Sequence, residues 1–386
     1  MKQGWTYKKL GEVCESELGK TLNSAKDTGK LYPYLCAVNV LWDRIDTSSL
    51  KETRFEETEL ERYSVKKGDL LICEGGDIGR AAIWNKEQPI QYQNALHRVR
   101  FNDEVLPRFC LMYLRCLKEK GILDGRYGKG VTIKHLVKSS LLSIPIPVPP
   151  IAEQERIVAE LDLLQGIIEK KKEQLKAYDQ LAQSIFYTMF GDPIDNPKGW
   201  ETKKLGEVAT QKLSYGSGAS AIQYNGKIRY VRITDIREDG ELNSDIVSPD
   251  TFDEKYLLNE GDILFARSGA TVGKTFQYKS RFGKCIFAGY LIRMIPNIEI
   301  VLPSFIFAYT KSSYYRSFVS KAQNAVAQPN INAKQYSDLL VPVPPLSLQQ
   351  EFAEKVEAIE RQKALVQQSI DETQTMFDYT MDKYFG

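Results

Sequence analysis

The chain repeats itself at an offset of 195 residues, and this repeat constrains its fold more than any other feature. Three segments return at that offset: GWTYKKLGEV (Gly4–Val13) as GWETKKLGEV (Gly199–Val208), IPVPPIAEQ (Ile146–Gln154) as VPVPPLSLQ (Val341–Gln349), and Phe190-Gly191 as Phe385-Gly386. Solenoid repeats have periods of only about 20 to 50 residues. The 386 residues are therefore predicted to form two copies of one domain-sized unit.

Two glycine motifs recur between these segments, with a register that shifts by up to two residues. GDLL at Gly68–Leu71 returns as GDIL at Gly261–Leu264. Downstream, the motif Gly76-x-x-Gly79-Arg80 is echoed by Gly269-x-x-x-Gly273-Lys274. Glycines at such spacings are typical of turns, so each copy should carry a glycine-rich turn after a buried strand.

Each copy divides into a strand-rich part and a long helix, which predicts an α+β fold. Short β-branched and aromatic runs, broken by Gly, Asp and Asn, occur at 90–100, 228–233, 263–266 and 285–295. Shorter helices are expected at 107–120 and 303–318. We therefore predict strand-rich domains at 1–150 and 191–345, each followed by a long helix, at 151–190 and 346–386.

The long helices begin where proline ends a strand and presets the first helical turn, after Pro149-Pro150 and Pro344-Pro345. Apolar residues then recur in alternating steps of four and three, which is a heptad seam. The seam of the first helix contains Ile157, Leu161, Leu164, Ile168, Leu175 and Ile185. The seam of the second contains Phe352, Val356, Ile359, Val366, Ile370 and Phe377.

Two seams of equal length favour pairing of the helices with each other, and a helix that packs only on its own domain is the alternative. The chain must turn back after the first helix, so the pair should be antiparallel. At about 1.5 Å per residue, 40 residues make a rod of roughly 60 Å. The pattern predicts a pseudo-twofold molecule, in which a coiled coil separates two globular domains.

The net charge of +2 hides a division between these parts. Residues 1–150 carry +5 and residues 191–345 carry +3, whereas the helical segments 151–190 and 346–386 carry −2 and −4. Basic globular domains suit contact with phosphate, and acidic helices suit a protein partner. The near-neutral total therefore does not exclude a nucleic-acid ligand.

Motifs of several enzyme classes are missing. The chain has no G-x-x-x-x-G-K-[ST] phosphate loop and no N-P-P-[YFW] motif of an adenine methyltransferase. Pro249-Asp250 and Asp253-x-Lys255 superficially match a nuclease pattern, but their spacing leaves no room for the turn between two strands. We expect a protein without a catalytic site of its own.

Neither a membrane span nor a metal site is expected. No apolar run approaches the roughly 18 to 20 residues that cross a bilayer, and the N-terminal segment has no apolar signal region, which predicts a cytoplasmic protein. The six cysteines show no C-x-x-C spacing, and His97 and His135 are the only histidines. Reduced thiols and ordinary polar or core histidines are the simplest interpretation.

The ordered motifs resemble the specificity (S) subunit of prokaryotic type I restriction-modification systems, which act in phage defence. They are the G-W-x-x-K-K-L-G-E-V opening, G-D-[LI]-L with its glycine turn, Ala327–Asn332 (AQPNIN), and [IV]-P-V-P-P before a Gln-bearing heptad helix. The resemblance covers the whole chain. One departure is Gly130–Lys134 (GVTIK), which stands in the first half where the second has its Gln-Pro-Asn-Ile-Asn stretch. We expect the two halves to read different sequences.

The resemblance implies two target-recognition domains, each of which reads one half of a bipartite site in double-stranded DNA. The helices would space the domains and dock two methylation subunits, which would carry S-adenosylmethionine and perform DNA methylation. A motor-nuclease subunit would join for cleavage. This chain would bind no cofactor and no metal.

Base readers in the major groove are residues that make bidentate contacts, such as Arg or Lys to guanine and Asn or Gln to adenine. Structural turns and loops remain the alternative for most candidates, which are Gly76, Gly79, Arg80, Lys129, Lys134, Arg267, Ser268, Lys274, Gln328, Asn330, Asn332 and Lys334. Gln154, Glu155, Gln349 and Gln350, at the helix starts, have two interpretations, packing or partner binding. A protein assembly adaptor that does not bind DNA is the second functional hypothesis.

Overall fold

A computed structural model describes residues 5–23, 27–131, 134–324 and 329–386. The chain forms two compact units: unit 1 comprises Met1–Lys170 and Ile370–Gly386, and unit 2 comprises Lys171–Ser369. Each unit mixes short strands with helices, in agreement with the predicted α+β class. Both long helices cross the boundary between the units near their midpoints.

Unit 1 contains twelve strands within its described residues: β1 (Thr6–Lys9), β2 (Cys14–Leu18), β3 (Lys30–Leu35), β4 (Val40–Leu41), β5 (Arg44–Ile45), β6 (Lys51–Phe55), β7 (Ser64–Val65), β8 (Leu70–Cys73), β9 (Ala81–Ile83), β10 (Ile90–Tyr92), β11 (Leu96–Phe101) and β12 (Pro145–Val148). Its helices are α1 (Leu10–Val13), α2 (Glu57–Leu60), α3 (Pro107–Glu119), α4 (Lys138–Leu142) and the first half of α5 (Ile151–Phe190). The strands form two four-stranded sheets, ordered β2-β11-β8-β9 and β6-β3-β10-β7, and the pairs β1-β12 and β4-β5.

Unit 2 repeats this plan with shorter strands: β13 (Glu201–Lys204), β14 (Ser214–Tyr215), β15 (Ala221–Gln223), β16 (Arg229–Val231), β17 (Val247–Pro249), β18 (Ile263–Ala266), β19 (Thr275–Gln277), β20 (Cys285–Phe287), β21 (Leu291–Met294) and β22 (Leu340–Val343). Its helices are α6 (Pro303–Tyr309), α7 (Ser313–Asn324), α8 (Ala333–Ser337) and most of α9 (Leu346–Phe385). The sheet β14-β21-β18-β19 has the strand order of β2-β11-β8-β9, and β13-β22 corresponds to β1-β12.

The strand pair that closes each domain repeats to the residue. Thr6 lies opposite Val148 in the first pair, and Glu201 lies opposite Val343 in the second, so both partners shift by 195 positions. The predicted duplication is therefore a duplication of architecture. Because β1 and β12 are neighbours, the domain between them begins and ends at one edge.

The long helices contact each other in antiparallel fashion within each unit. In unit 1 the Tyr384 hydroxyl donates to Glu160 at 2.8 Å and accepts from Arg156 at 3.1 Å. In unit 2 Lys363 forms an ion pair of 2.8 Å with Asp179. The unit 1 contacts join the start of the first helix to the end of the second, and in unit 2 the later residue Phe186 of the first helix meets the earlier residue Phe352 of the second. Within the described residues, no helix combines the length and the apolar character that a membrane span requires.

Side chains of the predicted seam are buried or partly buried. Ile157, Leu161, Leu164, Ile168, Phe352, Ile359, Ile370 and Phe377 are buried, and Leu175, Ile185, Val356 and Val366 are partly buried. Between 185 and 190 the strongest burial falls on Phe186 and Phe190, whose rings contact Phe305 and Phe352.

Three predicted elements are interrupted. The expected helix at 303–318 is two helices, because the Ser312 hydroxyl accepts from the Tyr315 N–H at 3.3 Å and so starts α7 anew. The run 90–100 is two strands, since residues 93–95 form a connection between β10 and β11. The run 285–295 is divided in the same way between β20 and β21.

Candidate nucleic-acid interface

In unit 1 the glycine-rich turn lies beside the segment that contains Lys129 and Lys134. His135 forms a β-bridge with Gly75 and a second with Lys129. The Leu136 N–H then donates to the Glu74 carbonyl at 2.7 Å. Candidates that are about 50 residues apart in sequence therefore form one loop cluster.

Several candidates in this cluster have structural partners. Arg80 donates from Nη2 to the Ala37 carbonyl at 2.7 Å, and Lys134 donates from Nζ to the Asp124 carbonyl at 2.7 Å. Gly76 is exposed and Gly79 is buried, and both have positive φ. Lys129 is exposed and has no ion pair within the described residues. Lys129 is therefore the cation of this set that is available to a ligand.

Unit 2 contains the equivalent cluster. Ser268 forms a β-bridge with Asn330, and the Gly269 N–H donates to the Pro329 carbonyl at 3.3 Å. The Ile331 N–H donates to the Arg267 carbonyl at 2.8 Å. The structure therefore places Arg267 and Ser268 beside Asn330. Gln328 lies outside the described residues.

Arg267 is held in place by its neighbours. Its guanidinium carbon lies 4.8 Å from the centroid of the Tyr215 ring, and Nε donates to Asn330 Oδ1 at 3.3 Å. The Tyr215 hydroxyl accepts from the Ala333 N–H at 3.1 Å. Within the described part of the chain, the two Nη atoms of Arg267 have no hydrogen-bond partner. Both Nη atoms are therefore available to donate to a ligand.

The other candidates of unit 2 are engaged to different degrees. Asn332 is the N-cap of α8, because its Oδ1 accepts from the Gln335 N–H at 2.9 Å. Lys274 forms an ion pair of 2.9 Å with Glu238. Lys334 is exposed on α8. These contacts give Asn332 and Lys274 structural roles.

Four neighbours of the clusters were not among the predicted contact residues. Glu74 and His135 belong to the cluster of unit 1, and Tyr215 and Tyr290 belong to that of unit 2, where Tyr290 is 62% exposed. Aligning GDLL with GDIL sets Glu74 opposite Arg267, so a sequence signal existed for that position. No periodic pattern marks the two tyrosines.

The histidines differ in environment. His97 is fully buried, its Nε2 lies 2.7 Å from the Leu136 carbonyl, and burial lowers its pKa. His135 is exposed in the loop cluster of unit 1. His97 thus matches a core residue, and its contact joins β11 to the backbone of Leu136 in the loop cluster.

The cysteines have the environment of structural thiols. Burial raises the pKa of Cys73 and Cys285 to about 11 and that of Cys14 to about 12. All six are free. Among the described residues, no group of three or more His, Cys, Asp or Glu side chains is arranged to hold a metal ion.

The comparisons with known proteins agree with the duplication. A family model described as the type I restriction modification DNA specificity domain matches residues 2–177 and again residues 197–374. The double match thus assigns the chain to the class of tandem-domain DNA-specificity proteins. The chain belongs to the type I restriction-modification DNA specificity domain family.

Relatives and solved structures extend over most of the chain. The EcoBI specificity subunit of Escherichia coli is 24% identical over 78% of this chain and 68% of its own length. The MjaVIII specificity subunit of Methanocaldococcus jannaschii is 25% identical over 93% and 86%. The crystal structure of a type I restriction-modification S subunit from M. genitalium aligns with a TM-score of 0.56 at 16% identity, covering 99% and 96%. The solved structure shares the fold.

Proposed function

We propose that this chain is the sequence-specific DNA-recognition subunit of a type I restriction-modification complex, in which each unit reads one half of a bipartite site. The observation that carries the proposal is the double match of the DNA specificity model, once in each half of the chain. Specificity subunits from a bacterium and an archaeon align over most of its length, which adds support. The adaptor hypothesis finds no support in these comparisons.

The loop clusters are the proposed reading surfaces. Each lies at the end of an inner strand of a four-stranded sheet, after β8 in unit 1 and after β18 in unit 2. A rigid sheet that carries polar loops is suited to binding, because it fixes side chains whose positions must match base edges. The charges of +5 and +3 on the two strand-rich domains favour approach to phosphate.

We further propose that the long helices form an antiparallel coiled coil that sets the distance between half-sites. Each helix has 40 residues, which at about 1.5 Å per residue gives roughly 60 Å. Two half-sites on one face of DNA are separated by multiples of about 34 to 36 Å, and a rod of roughly 60 Å is somewhat shorter than two such turns. A pseudo-twofold arrangement would then leave a stretch of unread base pairs between them.

The partner subunits are proposed from the resemblance to type I specificity subunits. Two methylation subunits, which would bind S-adenosylmethionine, dock on the acidic helices, and a motor-nuclease subunit joins for cleavage. The chain itself contributes recognition without catalysis. In a prokaryotic host this complex acts in the cytoplasm.

A methylome experiment tests the proposal. Single-molecule sequencing of host DNA should show adenine methylation in one bipartite motif, and deletion of the gene should abolish methylation of that motif alone. An unchanged methylome after deletion contradicts the proposal. Exchange of residues 14–145 for those of a paralogue should alter one half-site and leave the other intact.

Salt dependence provides a second readout on the reconstituted complex. If the loop clusters and basic domains contact phosphates, the logarithm of the binding constant should fall steeply and linearly with the logarithm of salt concentration. Affinity that does not change with salt would argue against DNA as the ligand.

A further inference from the structure

Glu74 and Arg267 occupy the same backbone position in the two units. Each is the first residue after an inner strand of its sheet, β8 or β18. The Glu74 N–H donates to the Ala95 carbonyl at 2.9 Å, and the Arg267 N–H donates to the Tyr290 carbonyl at 3.1 Å. Ala95 and Tyr290 are related by the repeat offset of 195.

The carbonyl groups of the two residues confirm the equivalence. Leu136 donates its N–H to the Glu74 carbonyl at 2.7 Å, and Ile331 donates its N–H to the Arg267 carbonyl at 2.8 Å. Leu136 and Ile331 are again 195 residues apart. Fixed at both backbone groups, each residue must project its side chain from the same place in its loop cluster.

The side chains at this position have opposite chemistry. Glu74 presents a carboxylate that has no hydrogen bond or ion pair with the described residues, and it is partly exposed. Arg267 presents two unengaged Nη donors from a guanidinium that Tyr215 and Asn330 hold in place. Two equivalent backbone positions thus present hydrogen-bond acceptors in one unit and a fork of donors in the other.

We propose that this position determines specificity in both half-sites: Arg267 reads a guanine, and Glu74 reads the exocyclic amino group of a cytosine. In the major groove an arginine fork matches O6 and N7 of guanine, and a carboxylate accepts from N4 of cytosine. Tyr215 acts as a positioning residue, because its ring fixes the guanidinium plane. The inference rests on the proposed function of the chain in DNA recognition.

The test uses the reconstituted complex with its methylation subunits and a library of duplexes randomised at each position of the wild-type motif. Arg267→Ala should reduce the preference for guanine at one position about tenfold to a hundredfold. Preferences in the other half-site should stay as in the wild type. Glu74→Ala should reduce the preference for cytosine at one position of the opposite half-site.

Arg267→Lys separates base reading from phosphate contact. Lysine keeps the charge and can still donate to guanine, but it lacks the planar fork, so the preference for guanine should fall below that of the wild type while the salt dependence of binding stays unchanged. Lys227→Ala is the matched control, because Lys227 is an exposed cation of the same unit with no ion pair within the described residues. That variant should retain every base preference.

Three outcomes overturn the inference: base preferences that survive Arg267→Ala, a uniform loss of affinity at all positions, or effects of the Glu74 and Arg267 variants on the same half-site. Melting curves of the assembled complex identify a variant that has lost its fold. If Arg267→Ala has done so, the preference for guanine is measured on Arg267→Lys instead. A wild-type complex that methylates no bipartite motif would instead refute the proposed function. The two failures are therefore distinguishable.

Discussion

Gln349 makes the same three hydrogen bonds as Gln154, its counterpart 195 residues earlier. Gln154 accepts from the Leu106 N–H at 2.9 Å and donates to the carbonyls of Glu104 and Pro149 at 2.7 and 2.9 Å. Gln349 accepts from the Leu302 N–H at 2.8 Å and donates to the carbonyls of Ile300 and Pro344. Both side chains are fully buried. Each carboxamide fastens the first turn of a long helix to the loop before the shorter helix of its own unit.

Gln349→Ala should destabilise the protein by about 2–4 kcal/mol, because it removes the partner of the buried Pro344 carbonyl and of the partly buried Leu302 N–H and Ile300 carbonyl. Urea unfolding followed by circular dichroism measures the loss. The neighbour Gln350 is exposed, and Gln350→Ala should change stability by less than about 0.5 kcal/mol. Equal effects of the two substitutions would contradict the buried network.

The glycine-rich turn of unit 2 contains a matched pair of positions. Gly269 and Gly273 both have positive φ, but a Cβ on Gly269 would meet nothing within 4 Å, whereas a Cβ on Gly273 would lie 2.5 Å from Cγ1 of Val319. Gly269→Ala should cost about 1–2 kcal/mol for the left-handed backbone alone. Gly273→Ala should cost about 1–3 kcal/mol more because of overpacking against α7. Thermal unfolding of both variants checks the difference.

Phe186 lies at the centre of an aromatic cluster in unit 2. Its ring centroid is 5.2 Å from that of Phe190, 5.7 Å from Phe305 and 5.9 Å from Phe352. Phe186→Ala should therefore cost about 3–5 kcal/mol. Leu181, on the same helix, is 46% exposed, and Leu181→Ala should cost well under about 1 kcal/mol. Similar unfolding midpoints for the two variants would show that the cluster contributes little.

Lys311 should make stability depend on pH in the alkaline range. Burial lowers its pKa to about 8, although Asp239, Glu238 and Asp179 partly oppose the shift. Between about pH 8 and 10.5 the unfolded chain therefore binds more protons at this group than the folded chain does. The free energy of unfolding rises as the pH rises through that window. Below pH 8 the charge on this partly buried side chain destabilises the fold.

Lys311→Met should accordingly be about 1–3 kcal/mol more stable than the wild type at pH 7. The advantage should shrink as the pH rises from 8 to 10. Chemical unfolding at a series of pH values measures it, with Lys227→Met as a control at an exposed lysine. An advantage that is constant with pH would show that Lys311 has an ordinary pKa in the folded protein.

The duplication and the long helices were predictable because their signals are local. Proline pairs set the helix starts, and the observed helices begin at Ile151 and Leu346, directly after them. The break at Ser312 was not predictable in the same way, because a hydroxyl that caps a helix competes with an otherwise continuous helical pattern. Periodicity reports which face is buried and does not report where a turn is capped.

The loop clusters were predictable only in part. The glycine motif predicted contact residues within 267–274. The contact between Arg267 and Tyr215 was not predictable, because the two residues are 52 positions apart and no periodic pattern relates them. Arg80 and Arg267 are both arginines beside a glycine-rich turn. Arg80 donates to the Ala37 carbonyl, whereas the guanidinium of Arg267 lies over the ring of Tyr215. The surrounding backbone therefore determines which of the two guanidinium groups keeps unpaired Nη donors.

The discontinuity of unit 1 has a consequence for synthesis on the ribosome. Phe385 packs against Phe109 and Tyr113, with ring centroids 5.3 and 5.7 Å apart, so unit 1 needs residues that are translated after unit 2. Unit 2 is continuous in sequence and can complete its core as it emerges. At about 5–20 residues per second, the 171–369 segment occupies the ribosome for roughly 10–40 s. Throughout that interval Phe109 and Tyr113 of the nascent first domain lack the Phe385 ring that packs against them in the folded unit.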